Sequence, residues 1–248
     1  MNLEIYASKA RYYAAAFDWS DEHQVAGIAE HSGLASGRVL EPMCGNARLL
    51  RAFASSGFET VGVDSSAPLL DIARREFSAI GLRGQWLEAD VTDFSLDGPC
   101  DLAVCPINSL AHLQTAADMA RHLRAVSQNL RSEGYYWVQL DLKDTRKEEP
   151  PEKWKFESDG EDLEFEWSVV EFDADFETHQ YRIFRDGECI FQERHRMKRW
   201  SYGDWIALLA RSPFEVTAAY DGDSFERYRL DGSLETRHLY WQQLGKLP

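Results

Sequence analysis

Cysteine is scarce in this chain of 248 residues: there are four, Cys44, Cys100, Cys105 and Cys189, and no two of them form a C-x-x-C pair. That spacing argues against a zinc site and against a disulfide framework, and leaves reduced, mostly buried thiols as the expectation. Long apolar runs are missing as well. None approaches the roughly 18 residues that a bilayer span requires, so no membrane association is expected. Residues 1–11 have neither a basic start nor a following apolar stretch, and they do not read as a secretory signal, which makes the cytoplasm the expected compartment. Basic residues are in deficit, 27 against 42 acidic ones, for a formal net charge of -15. Such a surface repels a phosphate backbone, so nucleic acid is not an expected partner. The one basic stretch, residues 194–199, sits in a strand-like segment and reads as a solvated face or as ion-pair partners for the many carboxylates.

The length suits one large core with an insertion better than two independent domains. From residue 38 to about 142, short apolar runs alternate with longer helical patterns, the signature of β-α units around a parallel sheet. Strands are expected at 39–41, 60–64, 85–88, 102–105 and 135–142. Between them, Leu69, Ala73, Phe77 and Ile80 share a helix face, with Ser65 or Ser66 as cap, Pro68 in the first turn and Gly81 as stop. Thr115 and Asp118 resemble a capping box ahead of an apolar stripe of Met119, Leu123, Val126 and Leu130, with Gly134 ending that helix.

Beyond Asp144 the character changes. Charged residues and Pro150-Pro151 form a linker, and Leu163, Phe165, Trp167 and Val169 then alternate with period 2, as an antiparallel strand does. A strand at 179–185 meets another at 189–200 through Asp186-Gly187, a hairpin signal. Ser201 and Asp204 suggest a capped helix to Arg211, and strands near 214–220 and 236–244 should rejoin the main sheet.

Chemistry concentrates at the carboxyl ends of the parallel strands, where doubly wound sheets bind ligands. Gly45, in the loop after the first strand, allows a cofactor to approach the backbone. Glu41, Asp64 and Asp90 follow at successive strand ends, and a carboxylate there can accept both hydroxyls of a ribose. Asp64 fits that task best. Any one of these acids could be a cap or a solvated strand end; three in succession mark a site.

Taken together, Val39-Leu40-Glu41 with Met43, Gly45 and Ala47, then Val61-Gly62-Val63-Asp64 and Glu88-Ala89-Asp90-Val91, resemble the successive motifs of the class I S-adenosylmethionine-dependent methyltransferases. Only the central glycine of the family's glycine loop is kept. The segment Asn108-Ser109-Leu110-Ala111-His112-Leu113 is similar to the N-S-F-x-H-L signature of glycine and related small-molecule N-methyltransferases, and Tyr12-Tyr13 with Phe17 and Trp19 resembles their aromatic lid helix. The resemblance implies a doubly wound, mostly parallel seven-stranded α/β sheet with a small inserted antiparallel β subdomain. It implies S-adenosylmethionine as cofactor, S-adenosylhomocysteine as product and a small-molecule acceptor. It places Glu41, Met43, Gly45, Asp64, Ser65, Asp90, Val91, Pro106 and Tyr13 at the cofactor, with His112 and Asn108 at the catalytic centre and no metal.

The implied division is 1–36 as N-terminal lid helices, 37–148 as the cofactor-binding core, 149–200 as the inserted sheet and 201–248 as the C-terminal completion of the core. The insertion would roof the site, with Trp154, Trp167 and Tyr181 as candidate substrate walls, or form the contact surface of a homodimer. At a reference pKa of about 6.5, His112 is a candidate general base, or a helix-start residue that only bonds backbone. Two other functions stay open. A nicotinamide-dependent oxidoreductase also holds a ribose with an acid after its second strand, though G-x-G-x-x-G is missing here. A nucleoside-binding module without catalysis would keep the same pocket.

Overall fold

The computed structural model describes residues 3–142, 150–228 and 240–247. In chain order the strands are β1 (Arg38–Pro42), β2 (Glu59–Asp64), β3 (Gln85–Glu88), β4 (Cys100–Cys105), β5 (Leu130–Gln139), β6 (Glu152–Ser158), β7 (Glu161–Phe172), β8 (Phe176–Arg185), β9 (Glu188–Lys198), β10 (Phe214–Asp221), β11 (Arg227–Tyr228) and β12 (Tyr240–Lys246). The α-helices are α1 (Ala10–Ala16), α2 (Glu22–Ser32), α3 (Arg48–Ser55), α4 (Ala67–Ala79), α5 (Ala116–Gln128) and α6 (Tyr202–Leu209).

The main sheet runs β11-β10-β12-β5-β4-β1-β2-β3, parallel from β5 to β3 and antiparallel at β12, β10 and β11. It has eight strands, not the expected seven, because the two-residue β11 adds an edge. The chain builds outward from β1 through β2 to β3, then returns to the other side of β1 for β4. That reversal opens a crevice between the loops that follow β1 and β4. Both faces of the sheet are covered, so neighbouring strand residues belong to opposite cores. Leu40, Ala103 and Tyr136 pack under α5 and α6, while Val39, Leu102 and Trp137 pack under α2, α3 and α4.

The expected caps form. Leu69 N–H donates to Ser66 Oγ, Asp118 N–H to Thr115 Oγ1 and Asp204 N–H to Ser201 Oγ. The stripe on α4 ends one turn early: Leu69, Ala73 and Phe77 are buried, whereas Ile80 is 57% exposed beyond the helix end. α5 stops at Gln128, before Leu130 and Gly134. The Asn129 amide donates to the carbonyls of Phe94 and Ala125 and its Oδ1 accepts from Leu96 N–H, pinning the turn from which β5 starts. Gly134 therefore lies inside β5, where a Cβ would meet the Asp101 carbonyl at 3.1 Å.

The insertion is a four-stranded antiparallel sheet, β6-β7-β8-β9. The Asp186-Gly187 hairpin is present with both residues at positive φ, and Asp159-Gly160 makes a second such turn between β6 and β7. The segment after Pro150-Pro151 is thus a strand and not only linker. Its inner face packs Leu163, Phe165, Tyr181 and Ile183 against Ile5, Tyr12 and Ala16 of the N-terminal segment. The last strand begins at Tyr240; the expected stretch 236–239 and the linker 144–149 lie outside the described residues. The basic stretch is used for pairing, with Arg194 on Glu171 and Lys198 on Asp175. Cys44, Cys100 and Cys105 are buried free thiols and Cys189 is exposed.

One buried polar link ties α5 to the strand ends. His122 Nδ1 donates to the Val91 carbonyl at 2.9 Å, so Nε2 is the acceptor for the Tyr136 hydroxyl at 2.8 Å. Burial pushes this imidazole from 6.5 down to about 4. The native state therefore refuses a proton that the unfolded chain binds below about pH 6.5. Stability is full above that pH and falls as pH drops toward 4, by about 3 kcal/mol from this residue. His122→Leu should lose about 1–3 kcal/mol at pH 7.5 by orphaning two polar groups. Its melting temperature should then fall less than the parent's when the pH is lowered to 5; equal falls would contradict a neutral, buried His122.

Candidate functional site

The loop after β1 is held in an unusual conformation. Met43, Gly45 and Ala47 all have positive φ, at 60°, 54° and 58°. For the two non-glycine residues this costs roughly 1–2 kcal/mol each, and such strain persists where the surroundings enforce it. The enforcing bonds are visible: Cys44 N–H donates to the Val63 carbonyl, and Gly45 N–H donates to Asp64 Oδ2 at 2.8 Å. Asp64 Oδ1 accepts from Ser66 N–H at 2.8 Å. Burial raises the Asp64 carboxyl, against the lowering pull of the Ser66, Gly45 and Ser65 amides. The two carboxylate oxygens offer about four acceptor sites, so three amides leave capacity for a further donor.

This loop, the end of β2, the turn after β3 and the 3-10 turn Ser109–His112 after β4 surround a cavity of about 720 Å³. That is within the range of small-molecule and cofactor sites. Of the residues expected at the site, Tyr13, Met43, Gly45, Asp64, Ser65, Asp90, Val91 and His112 line it. Asp90 is exposed at the rim, and the Thr92 N–H on its Oδ1 holds its pKa low. The arrangement fits a nucleoside: a carboxylate with open acceptor sites, a loop without a side chain at Gly45 and a second acid at the rim.

Three expected residues do not line the cavity. Glu41 is 3% exposed beneath the loop, Oε2 has no partner among the described residues, and burial raises its carboxyl well above 4.5. Asn108 sits at φ 60° and uses Oδ1 to accept from Asp141 N–H, bracing the ends of β4 and β5. Pro106 is buried and its carbonyl accepts from Ser109. The expected substrate walls are also elsewhere. Trp154 donates to the Ala16 carbonyl and stacks on Phe165, Trp167 donates to His179, and Tyr181 is 7% exposed in the core between insertion and N-terminus.

Sequence reasoning missed Tyr6, which closes the cavity from above. It lies in a 3-10 turn, Glu4–Tyr6, too short for a periodic signal. Its hydroxyl is 3.3 Å from His112 Nε2, its ring packs edge-on to Tyr13 at 4.9 Å, and its carbonyl accepts from Ser66 Oγ. Burial, and then the neighbouring His195 and His179, push His112 from 6.5 down to about 4, so its imidazole is neutral at pH 7, with one donor and one acceptor nitrogen.

Residues 39–134 match a family described as a methyltransferase domain. YqeM of Bacillus subtilis, a methyltransferase by its name, is 25% identical over 185 residues, covering 73% of this chain and 74% of its own. An S-adenosylmethionine-dependent methyltransferase of Clostridium acetobutylicum superposes with a TM-score of 0.73 at 20% identity, over 93% of each chain. The sugar N-methyltransferase KedS8 of Streptoalloteichus gives 0.71 at 18% identity, over 95% of this chain and 90% of its own. Residues 39–134 therefore match a methyltransferase domain, and the chain as a whole shares the fold of these S-adenosylmethionine-dependent methyltransferases.

Proposed function

We propose that the cavity between β1 and β4 binds S-adenosylmethionine and that the enzyme methylates a nitrogen, or an oxygen, of a small-molecule acceptor. The convergence of Asp64, the Gly45 loop and His112 on one cavity carries this reading. Bound there, the cofactor supplies an electrophilic sulfonium methyl group. Asp64 takes the ribose hydroxyls on its open acceptor sites, Asp90 and Val91 flank the adenine, and the Gly45 loop supports the methionine portion.

His112 is a hydrogen-bond acceptor in this scheme and not the base of pKa near 6.5 that the sequence suggested. An alkylammonium has a pKa of about 10, and an imidazole near 4 is too weak to strip it. With Nε2–H on the Tyr6 hydroxyl, His112 Nδ1 instead accepts a hydrogen bond from the uncharged amine and aims its lone pair. The C–S bond breaks to release S-adenosylhomocysteine, and the methylated nitrogen keeps its proton as an ammonium that water takes up later. Positioning of this kind is worth up to roughly 7–11 kcal/mol in a bimolecular reaction, so neither a metal nor a covalent intermediate is called for. The net charge of -15 favours a small acceptor over a nucleic acid. The likeness to a sugar N-methyltransferase makes amino sugars the first acceptors to assay.

S-adenosylhomocysteine should raise the melting temperature, as a ligand of the native state does, while NAD should not; the reverse pattern would favour the oxidoreductase. Asp64→Ala should weaken S-adenosylhomocysteine binding by roughly 10- to 150-fold in calorimetry, from the loss of a charge-assisted interaction. An unchanged dissociation constant would remove Asp64 from the ribose. His112→Ala should lower kcat/KM for the acceptor by about 10- to 100-fold with S-adenosylhomocysteine affinity intact. The parent's kcat should show no inflection from a histidine between about pH 5.5 and 8; an inflection there that disappears in His112→Ala would restore the general base.

A further inference from the structure

His112 is not fixed by its own turn alone, because its Nε2 faces the hydroxyl of Tyr6. Tyr6 in turn belongs to a segment with little helical structure to hold it. Its 3-10 turn spans three residues and has no side-chain cap from Leu3. The unpaired N–H groups at such a start need an acceptor, and here it comes from the inserted sheet. Glu193, on β9, accepts from Glu4 N–H at 2.8 Å with Oε1 and from Ile5 N–H at 3.1 Å with Oε2. Behind it, His195 Nε2 lies 3.1 Å from Glu193 Oε2. A carboxylate only accepts, so that nitrogen carries the hydrogen. This leaves Nδ1 of a fully buried imidazole without a partner among the described residues. An orphaned acceptor is an unfavourable feature to retain unless the bond on the other side of the ring is needed.

We propose, building on the methyltransferase reading, that Glu193 is a positioning residue of the insertion, which sets His112 through Tyr6. The carboxylate fixes the amide side of the turn, Ser66 Oγ fixes the Tyr6 carbonyl, and the phenol reaches His112, with Tyr181 of β8 as its other hydrogen-bond partner. His195 holds the carboxylate in place. The inserted sheet thereby reaches the reacting centre twice, through Glu193 and the turn it holds and through Arg196 of the same strand, which lines the cavity. The strand β9 and the catalytic turn are in register as a unit, since Gln114, two residues past His112, donates to the Arg196 carbonyl.

The test is a double-mutant cycle joined to hydrogen exchange. Glu193→Ala should speed exchange of the Glu4 and Ile5 amides while leaving those of β1, β4 and β5 unchanged, a readout that does not depend on activity. It should lower kcat by roughly 10- to 100-fold, as a misplaced positioning group does, and have less than about threefold effect in a His112→Ala background. Should Glu193→Ala not fold, Glu193→Gln, which keeps the volume and one acceptor oxygen, takes its place with the same expectations at smaller amplitude. Multiplicative losses in the double variant, or unchanged exchange at Glu4 and Ile5, would overturn the proposal. A parent protein that exchanges as expected but transfers no methyl group to any acceptor would instead count against the methyltransferase reading.

Discussion

The hydrogen bond from Gly45 N–H to the Asp64 carboxylate is the constraint on which the site depends. It joins the loop after β1 to the end of β2, and it holds a backbone that turns through positive φ at Met43, Gly45 and Ala47. Its counterpart, Ser66 N–H on the other carboxylate oxygen, joins the same group to the start of α4. One side chain thus sets the floor of the cavity and, through Ser66 Oγ on the Tyr6 carbonyl, part of its cover. A group with that many structural duties can still serve a ligand, because three amides do not exhaust the acceptor sites of a carboxylate.

His122, His112 and His195 are all pushed down to about 4, chiefly by burial. Neutral imidazole both donates and accepts, which lets His122 link Val91 to Tyr136, and lets His195 hold Glu193. The acidic excess lies on the surface, and the buried Asp21 is matched by Arg48. These facts describe an enzyme interior tuned for hydrogen bonding more than for proton transfer near neutral pH.

Much of this was legible in the residues. The caps at Ser66, Thr115 and Ser201 and the period-2 run of β7 are local signals, and each appears where its pattern puts it. The strand-end acids were legible because spacing alone brings Asp64 and Asp90 to one edge. What escaped depends on contacts far apart in sequence. Asn129 ends α5 through Leu96, Phe94 and Ala125, so the apolar stripe that ran on to Leu130 misled. Glu193 holds the turn that carries Tyr6 through bonds from the Glu4 and Ile5 amides, across 189 and 188 positions, with no periodic signature in either segment. Asp159-Gly160 carries the same dipeptide turn signal as Asp186-Gly187, and it joins β6 to β7 despite the two prolines just ahead of β6.

The account's central claim is that the cavity hands a methyl group to a small acceptor. The most direct measurement is to incubate the enzyme with S-adenosylmethionine carrying a deuterated methyl group, a pool of amine-bearing metabolites including amino sugars, and total RNA, and to follow the label by mass spectrometry. The account predicts a labelled methyl on a small amine or hydroxyl compound, absent with Asp64→Ala. Label entering the RNA, or entering nothing while S-adenosylhomocysteine binds normally, would contradict it.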